Sequence, residues 1–242
     1  VVGSNCFNLL IVIGLCALIS TIPVDKDVRK FDYPLCILFS GLMVLVGLDK
    51  NVSRIEGCAF VVLIVLYCIY LILRSKRERA KNALITELEK TDDSPKAKPE
   101  VFTTKRIILN IGIIVLSVLA IYLSSQGIVD SCKYFAKLLG ISDTIIGLTI
   151  VALGTSLPEL VTSIVAQRKG ESSIAIGNIV GSNIFNILFV LGLAAAISPI
   201  TLNADNVIDA IICLAVTAIC FIFVLTGNRL KRWEGVVMLL MY

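Results

Sequence analysis

The sequence predicts an all-α polytopic membrane protein, organised as an inverted 5+5 repeat of transmembrane helices with about eight of them present in this chain. Three observations predict it. Hydrophobic residues make up 57% and charged residues 17% of the chain, and the mean hydropathy is +0.93, far from the composition of a soluble domain. The apolar residues gather in uncharged runs that meet or approach the ~20 residues needed to cross a bilayer as helix. The beginning of the chain also repeats near its end at a constant offset.

In chain order, the first span covers 1–22 and stops before Pro23. A short charged loop, VDKDVRKFD, leads to a second span that starts after Pro34 and ends near Leu48. A third covers 57–73 and ends at Arg74. The only long hydrophilic stretch follows, 74–106. Its first part can prolong the third helix into water, whereas TDDSPKAKPE has the proline and charge content of a flexible linker. A fourth span is predicted over 107–129. The connection 130–143 contains Gly140 and a candidate helix N-cap at Ser142 or Asp143. The fifth span, 144–167, is broken near Gly154–Pro158. After the polar turn Arg168-Lys169-Gly170-Glu171 come spans at 173–198 and 210–228, and a last one begins at 233. The chain therefore divides into the last three helices of one repeat (1–73), a linker (74–106) and a second repeat shortened in its last helix (107–242). It opens inside a motif and closes part-way through an apolar run, so it reads as a segment cut at both ends.

Lysine and arginine set the orientation. With the 74–106 linker in the cytoplasm, the inner loops carry eighteen of these residues and the outer loops four, namely Lys50, Arg54, Lys133 and Lys137. The positive-inside rule then fixes the topology of a multi-pass protein of the cell (inner) membrane.

Placing 1–57 over 179–235 needs no gap. Gly3-Ser4-Asn5 falls on Gly181-Ser182-Asn183, Phe7-Asn8 on Phe185-Asn186, and Arg54, Glu56 and Gly57 on Arg232, Glu234 and Gly235. Apolar bias can mimic scattered leucine matches but not these polar ones in register. Five spans separate the start of one copy from the start of the next. Five is odd, so the second copy crosses the membrane in the opposite sense, the arrangement that places substrate sites at the bilayer midplane on interrupted helices.

The chemistry concentrates in 147–192. Glu159 stands in an otherwise apolar span, where a charge costs roughly 2.5–3.5 kcal/mol at the helix centre and marks function by default. Pro158 removes a backbone donor and frees carbonyls around Gly154–Ser156, which need partners in the membrane. Helix-breaking residues recur at Gly177-Asn178 and Gly181-Ser182-Asn183. Ser182 and Asn186 lie at i and i+4 on one face, as do their repeat mates Ser4 and Asn8. All these donors are hard oxygens. With no histidine in the chain and no CxxC among eight cysteines, the set suits sodium or calcium rather than zinc or copper. The cysteines read as small packing residues in helices.

The motifs GTSLPE at 154–159, GNIVGSNIFN at 177–186 and VGSNCFN at 2–8 resemble the α-repeats of the sodium/calcium exchanger family in the cation/calcium antiporter superfamily. The resemblance covers essentially the whole chain. It implies a ten-helix fold and exchange of calcium for sodium by alternating access. Glu159 would be a shared calcium and sodium ligand. Thr155 would bind through its backbone carbonyl, Ser156 would bind sodium, and Ala152 would offer a carbonyl. Ser182, with its mate Ser4, would line a sodium site, and Asn8 and Asn186 would complete the central site. Many relatives carry Asp where this chain has Asn186, which bears on potassium cotransport and stoichiometry. The implied partners are calcium and sodium ions and the lipid bilayer, with no cofactor and no nucleic acid.

One Glu does not neutralise a divalent ion, so an upstream mate of Glu159 is expected about twenty residues ahead of Val1, and the segment alone is expected not to transport. Other readings differ in class. A calcium/proton exchanger of the same superfamily would alternate proton and calcium on Glu159. A channel would show flux independent of a counter-ion. A serine protease lacks a histidine base, and an intramembrane aspartyl protease lacks its Asp pair, since Asp130 and Asp209 are expected just outside the spans. A non-transporting scaffold would have no use for the acid.

Overall fold

In the computed structural model the described residues are 1–88, 104–140, 152–227 and 229–242. Among them the chain is helical almost throughout. Helix α1 is Val2–Ile19, α2 Val28–Gly47, α3 Arg54–Leu88 and α4 Thr104–Leu138. A short α5, Ala152–Thr155, is followed by α6, Leu157–Arg168. Then come α7, Ser172–Ile197, α8, Ala204–Leu225, and α9, Arg232–Met241. Among the described residues, six helices are long and apolar enough to span a bilayer: α1, α2, α3, α4, α7 and α8.

Several boundaries differ from the expectations drawn from hydropathy. Helix α2 begins at Val28, inside the predicted charged loop, and its first turns are π-wound over Val28–Asp32. Of the charges there, Asp32 is held by Arg74. Helix α3 runs without interruption from its apolar part into the charged stretch. Helix α4 continues through the predicted connection to Leu138, followed by Gly140 at φ +74°. The N-cap expected at Ser142 or Asp143 and the TDDSPKAKPE linker lie outside the described residues. Asp130 and Asp209 stand within the helical segments α4 and α8 rather than just beyond them. Helix α7 is unbroken through 177–183, so that helix-break expectation fails. Gly177 and Gly181 meet no atoms of the described residues within 4 Å of where a Cβ would sit, and the backbone there stays helical.

The offset of 178 residues seen in sequence recurs as geometry. Two short antiparallel strand pairs tie the halves together, Ile22–Pro23 with Arg229–Leu230 and Asn51–Val52 with Ile200–Thr201. Ile22 pairs with Leu230, and Ile200 pairs with Val52. Each pair is the other moved by the offset, with the partners exchanged. The first pair gathers the loops predicted inside and the second those predicted outside.

The matched RxEG segments explain themselves at the starts of α3 and α9. Glu56 accepts a bond from the Ser53 amide at 2.8 Å, and Glu234 accepts one from the Lys231 amide at 2.7 Å. Both are third-position carboxylates reaching back to the residue that caps the helix. The glycine of each motif permits close helix contact. A Cβ on Gly57 would stand 2.7 Å from the Gly192 carbonyl oxygen, and one on Gly235 would stand 2.8 Å from the Gly14 carbonyl oxygen. Thus α3 packs on α7 as α9 packs on α1.

The core lies between α1, α2, α7, α8 and α9, with Leu9, Ile13, Tyr33, Ile176, Ile184 and Leu188 fully enclosed. Tyr33 stacks on Phe221 at 5.2 Å. Helix α4 stands at the edge with most of its apolar side chains exposed, as expected of a lipid-facing helix, and touches the rest at Ser125, Val129 and Ala136. Val129 occupies the space that a Cβ on Gly154 would need. At the inner end Arg74 of α3 pairs with Asp27 at 2.8 Å, Asp32 at 3.2 Å and Glu78 at 3.4 Å.

Candidate functional site

Three helices converge at the centre: α1, α7 and the α5–α6 break. The break falls at Ser156, whose backbone leaves the helical region at φ −103°, ψ 4°. Its amide still reaches the Ala152 and Leu153 carbonyls at 3.2 Å, but Pro158 has no N–H to give to the Gly154 carbonyl. Helix α6 therefore starts afresh in mid-chain, and Glu159 sits in its first turn, where the positive end of the helix dipole favours a carboxylate.

The predicted residues come together in pairs. Ser182 donates to Glu159 Oε1 at 2.9 Å. The Ser4 and Thr155 hydroxyls lie 2.8 Å apart, and Ser156 Oγ donates to the Ser4 carbonyl at 3.4 Å. The Ala152 carbonyl, expected as a free ligand, already accepts from Thr155 Oγ1 at 3.1 Å and from the Ser156 amide. Both of its lone pairs are engaged in this conformation.

The asparagines form a symmetric knot. Asn5 Nδ2 donates to the Asn183 carbonyl at 3.3 Å, and Asn183 Nδ2 donates to the Asn5 carbonyl at 3.1 Å. Asn8 Nδ2 donates to Asn183 Oδ1, and Asn186 Nδ2 to Asn5 Oδ1, each at 3.0 Å. Every bond is the offset image of its partner, so the pseudo-two-fold axis passes between Asn5 and Asn183. Sequence reasoning used these two only as letters of the repeat and missed them as structural residues. The signal was their identity at matched positions beside Ser4 and Ser182. Immediately after the knot both helices are π-wound, over Asn8–Val12 and Asn186–Leu191. Such single π-turns recur at functional sites.

Two oxygens remain conspicuous. Glu159 Oε2 and Asn8 Oδ1 are buried without a hydrogen-bond partner among the described residues. An unpaired buried acceptor costs about 1–3 kcal/mol, more when charged. As acceptors, both oxygens are complemented by a hydrogen-bond donor such as water or by a cation. The residues present fit a sodium or calcium ion as transported substrate, held by carboxylate, amide, hydroxyl and carbonyl oxygens.

A cavity of about 660 Å³ reaches this region from the end that carries the loops predicted outside. Its lining includes Val52, Thr201 and Asp209 as well as Ser4, Ala152 and Thr155. The inner end is fastened. Gln167 Nε2, at the end of α6, donates to the Ser20 hydroxyl at 2.6 Å and to its carbonyl at 3.1 Å. Arg232 donates to the Ile19 carbonyl at 3.3 Å.

Inverted helical repeats that meet at a knot of polar side chains, beside a broken helix bearing an acid, define a membrane transporter. The family model described as sodium/calcium exchanger protein matches residues 1–76 and 109–242, and the chain belongs to that family. The putative antiporter CaxA of Alkalimonas amylolytica is 35% identical, the match covering 99% of this chain and 74% of that protein. The inner membrane protein YrbG of Escherichia coli is 36% identical over 81% of this chain and 58% of its own length. The sodium/calcium exchanger MaX1 of Methanosarcina acetivorans is 45% identical over 53% of this chain and 37% of its own. The sodium-calcium exchanger NCX_Mj, in a structure soaked with Na+ and Sr2+, superposes with a TM-score of 0.74 at 26% identity, covering all of this chain and 72% of that one.

Proposed function

We propose that the protein is a secondary antiporter that exchanges calcium for sodium across the cell (inner) membrane by alternating access. The family, the exchangers among the relatives and the inverted repeat all support this reading. The single observation that carries the site assignment is Glu159: one oxygen is held by Ser182 and the other is buried with no donor among the described residues. In the proposed site Glu159 binds both ions and Asn8 and Asn186 supply neutral central oxygens. Thr155 and Ser156 contribute from the helix break, Ser4 and Ser182 line the sodium positions, and the Ala152 carbonyl is released when the break rearranges.

Alternation follows from the same parts. The outer cavity reaches Ser4 and Thr155 while Gln167 holds Ser20 at the inner end, an outward-open arrangement. Opening inward requires that latch to part. Because the repeats are inverted, the second state is reached by exchanging the roles of the halves rather than by a new fold. In the proposed domain arrangement 1–73 holds the last three helices of the first repeat unit, 74–106 is a cytoplasmic linker and 107–242 is the second repeat unit, shortened in its last helix.

The coupling ion is tested with the full-length protein in sealed vesicles. Calcium uptake is expected to follow an imposed sodium gradient and to ignore a pH gradient of equal size. Uptake driven by the pH gradient alone would make the protein a calcium/proton exchanger instead.

A further inference from the structure

We propose that the groove between α2 and α3, at the inner membrane surface, holds an acyl chain of an anionic phospholipid of the inner leaflet, with the lipid phosphate on Lys30. The groove has a volume of about 440 Å³, within the range of roughly 300–1,000 Å³ typical of small-molecule pockets. Its walls are Pro34, Leu38, Phe39, Leu63, Leu66 and Tyr70. Leu38 and Leu66 are each 55% exposed, so the groove opens sideways to the bilayer. At its inner end Phe31 and Tyr70 lie 6.4 Å apart, aromatic rings at the level where such rings mark the headgroup region.

The charge at that end is arranged for an anion. Lys30 lines the groove and is exposed. The acids nearest in sequence, Asp27 and Asp32, are both paired with Arg74, and Tyr67 also donates to Asp32 at 3.5 Å. No salt bridge is formed by Lys30 among the described residues. The repeat provides an internal comparison. Lys26, Arg29 and Lys30 fall on Ala204, Val207 and Ile208 at the opposite surface, so the equivalent helix start there carries none of the three cations. An acyl slot that ends on an exposed cation occurs on the leaflet that carries anionic lipid, where each surface cation contributes about 1 kcal/mol.

The test uses the full chain in phosphatidylcholine nanodiscs doped with phosphatidylglycerol or phosphatidylcholine probes bearing a photoactivatable acyl chain, with labelled peptides mapped by mass spectrometry. The phosphatidylglycerol probe is expected to label 35–39 and 63–70 in preference to the phosphatidylcholine probe. Lys30→Glu should lower that preference about fivefold, the equivalent of ~1 kcal/mol, whereas Lys133→Glu near the outer surface should leave it unchanged. Leu66→Trp, which fills the slot, should reduce labelling of 35–39 by both probes. Equal labelling by the two headgroups, or a preference untouched by Lys30→Glu, would reduce the groove to unselective lipid contact and overturn the proposal. Protein–protein crosslinks through 35–39 in place of lipid adducts would assign the groove to a second copy of the chain and overturn it as well.

Discussion

Asn5 and Asn183 stand 178 residues apart and donate their side-chain amides to each other's backbone carbonyls, at 3.3 and 3.1 Å. Their side-chain oxygens are occupied in the same reciprocal way by Asn186 and Asn8. The pair joins α1 to α7 on the pseudo-two-fold, at the centre of the proposed ion site.

Because the two bonds are images of each other, Asn5→Ala and Asn183→Ala should destabilise the protein by similar amounts. Each removes one of the donors to a buried carbonyl and deprives the Asn186 or Asn8 side-chain amide of its acceptor, a loss of about 1–3 kcal/mol. The double variant should lose clearly less than the sum, since the two residues share one network. Thermal unfolding of detergent-solubilised protein, read as a double-mutant cycle, measures this. Strict additivity would mean that the knot does not act as a unit.

Close approach at the glycines gives a second expectation. Gly57→Ala and Gly235→Ala each drive a methyl group into the backbone of the facing helix, and overpacking of this kind costs about 1–3 kcal/mol. Gly41→Ala, with nothing within 4 Å of its Cβ, should be near neutral. Comparison of the three unfolding midpoints decides it.

Ser182→Ala removes the donor to Glu159 Oε1 and a proposed sodium oxygen together. Hydrogen bonds to charged groups contribute about 1.5–3 kcal/mol, so the sodium concentration for half-maximal exchange should rise by about tenfold or more. Ser163→Ala, whose hydroxyl serves the α6–α7 contact at the Ala175 carbonyl, should leave that value unchanged. Sodium titration of calcium flux separates the two.

The strand pairs predict sidedness. In a cysteine-free background, a cysteine at Thr201 should react with an impermeant maleimide from outside, and one at Arg229 only from inside. The reverse pattern would invert the topology derived from the lysine and arginine distribution.

Much of this architecture was readable from residue order because it is written twice. The RxEG matches became paired helix caps at Glu56 and Glu234, and the GSNxFN matches became the central knot. Polar identity in register carries such information because chance apolar composition cannot supply it. Boundaries were less readable. Hydropathy ended the fourth span at 129, yet α4 continues to Leu138, since a helix goes on past the bilayer wherever its backbone bonds are satisfied. The glycines at 177 and 181 suggested a break that α7 does not make, because glycine permits a break without requiring one. The roles of Asn5 and Asn183, and the π-turns that follow them, depend on which helices meet. No spacing within one segment reports that.

The central claim is that Glu159 carries the transported ions. Its most direct test is sodium-gradient-driven calcium uptake by full-length Glu159→Gln protein in vesicles, beside the unaltered protein. The substitution keeps size and an acceptor for Ser182 while removing the charge. Uptake should fall about a hundredfold or more, as expected for loss of ~3 kcal/mol at a charged ligand, with the thermal midpoint little changed. Uptake at the native rate would contradict the assignment.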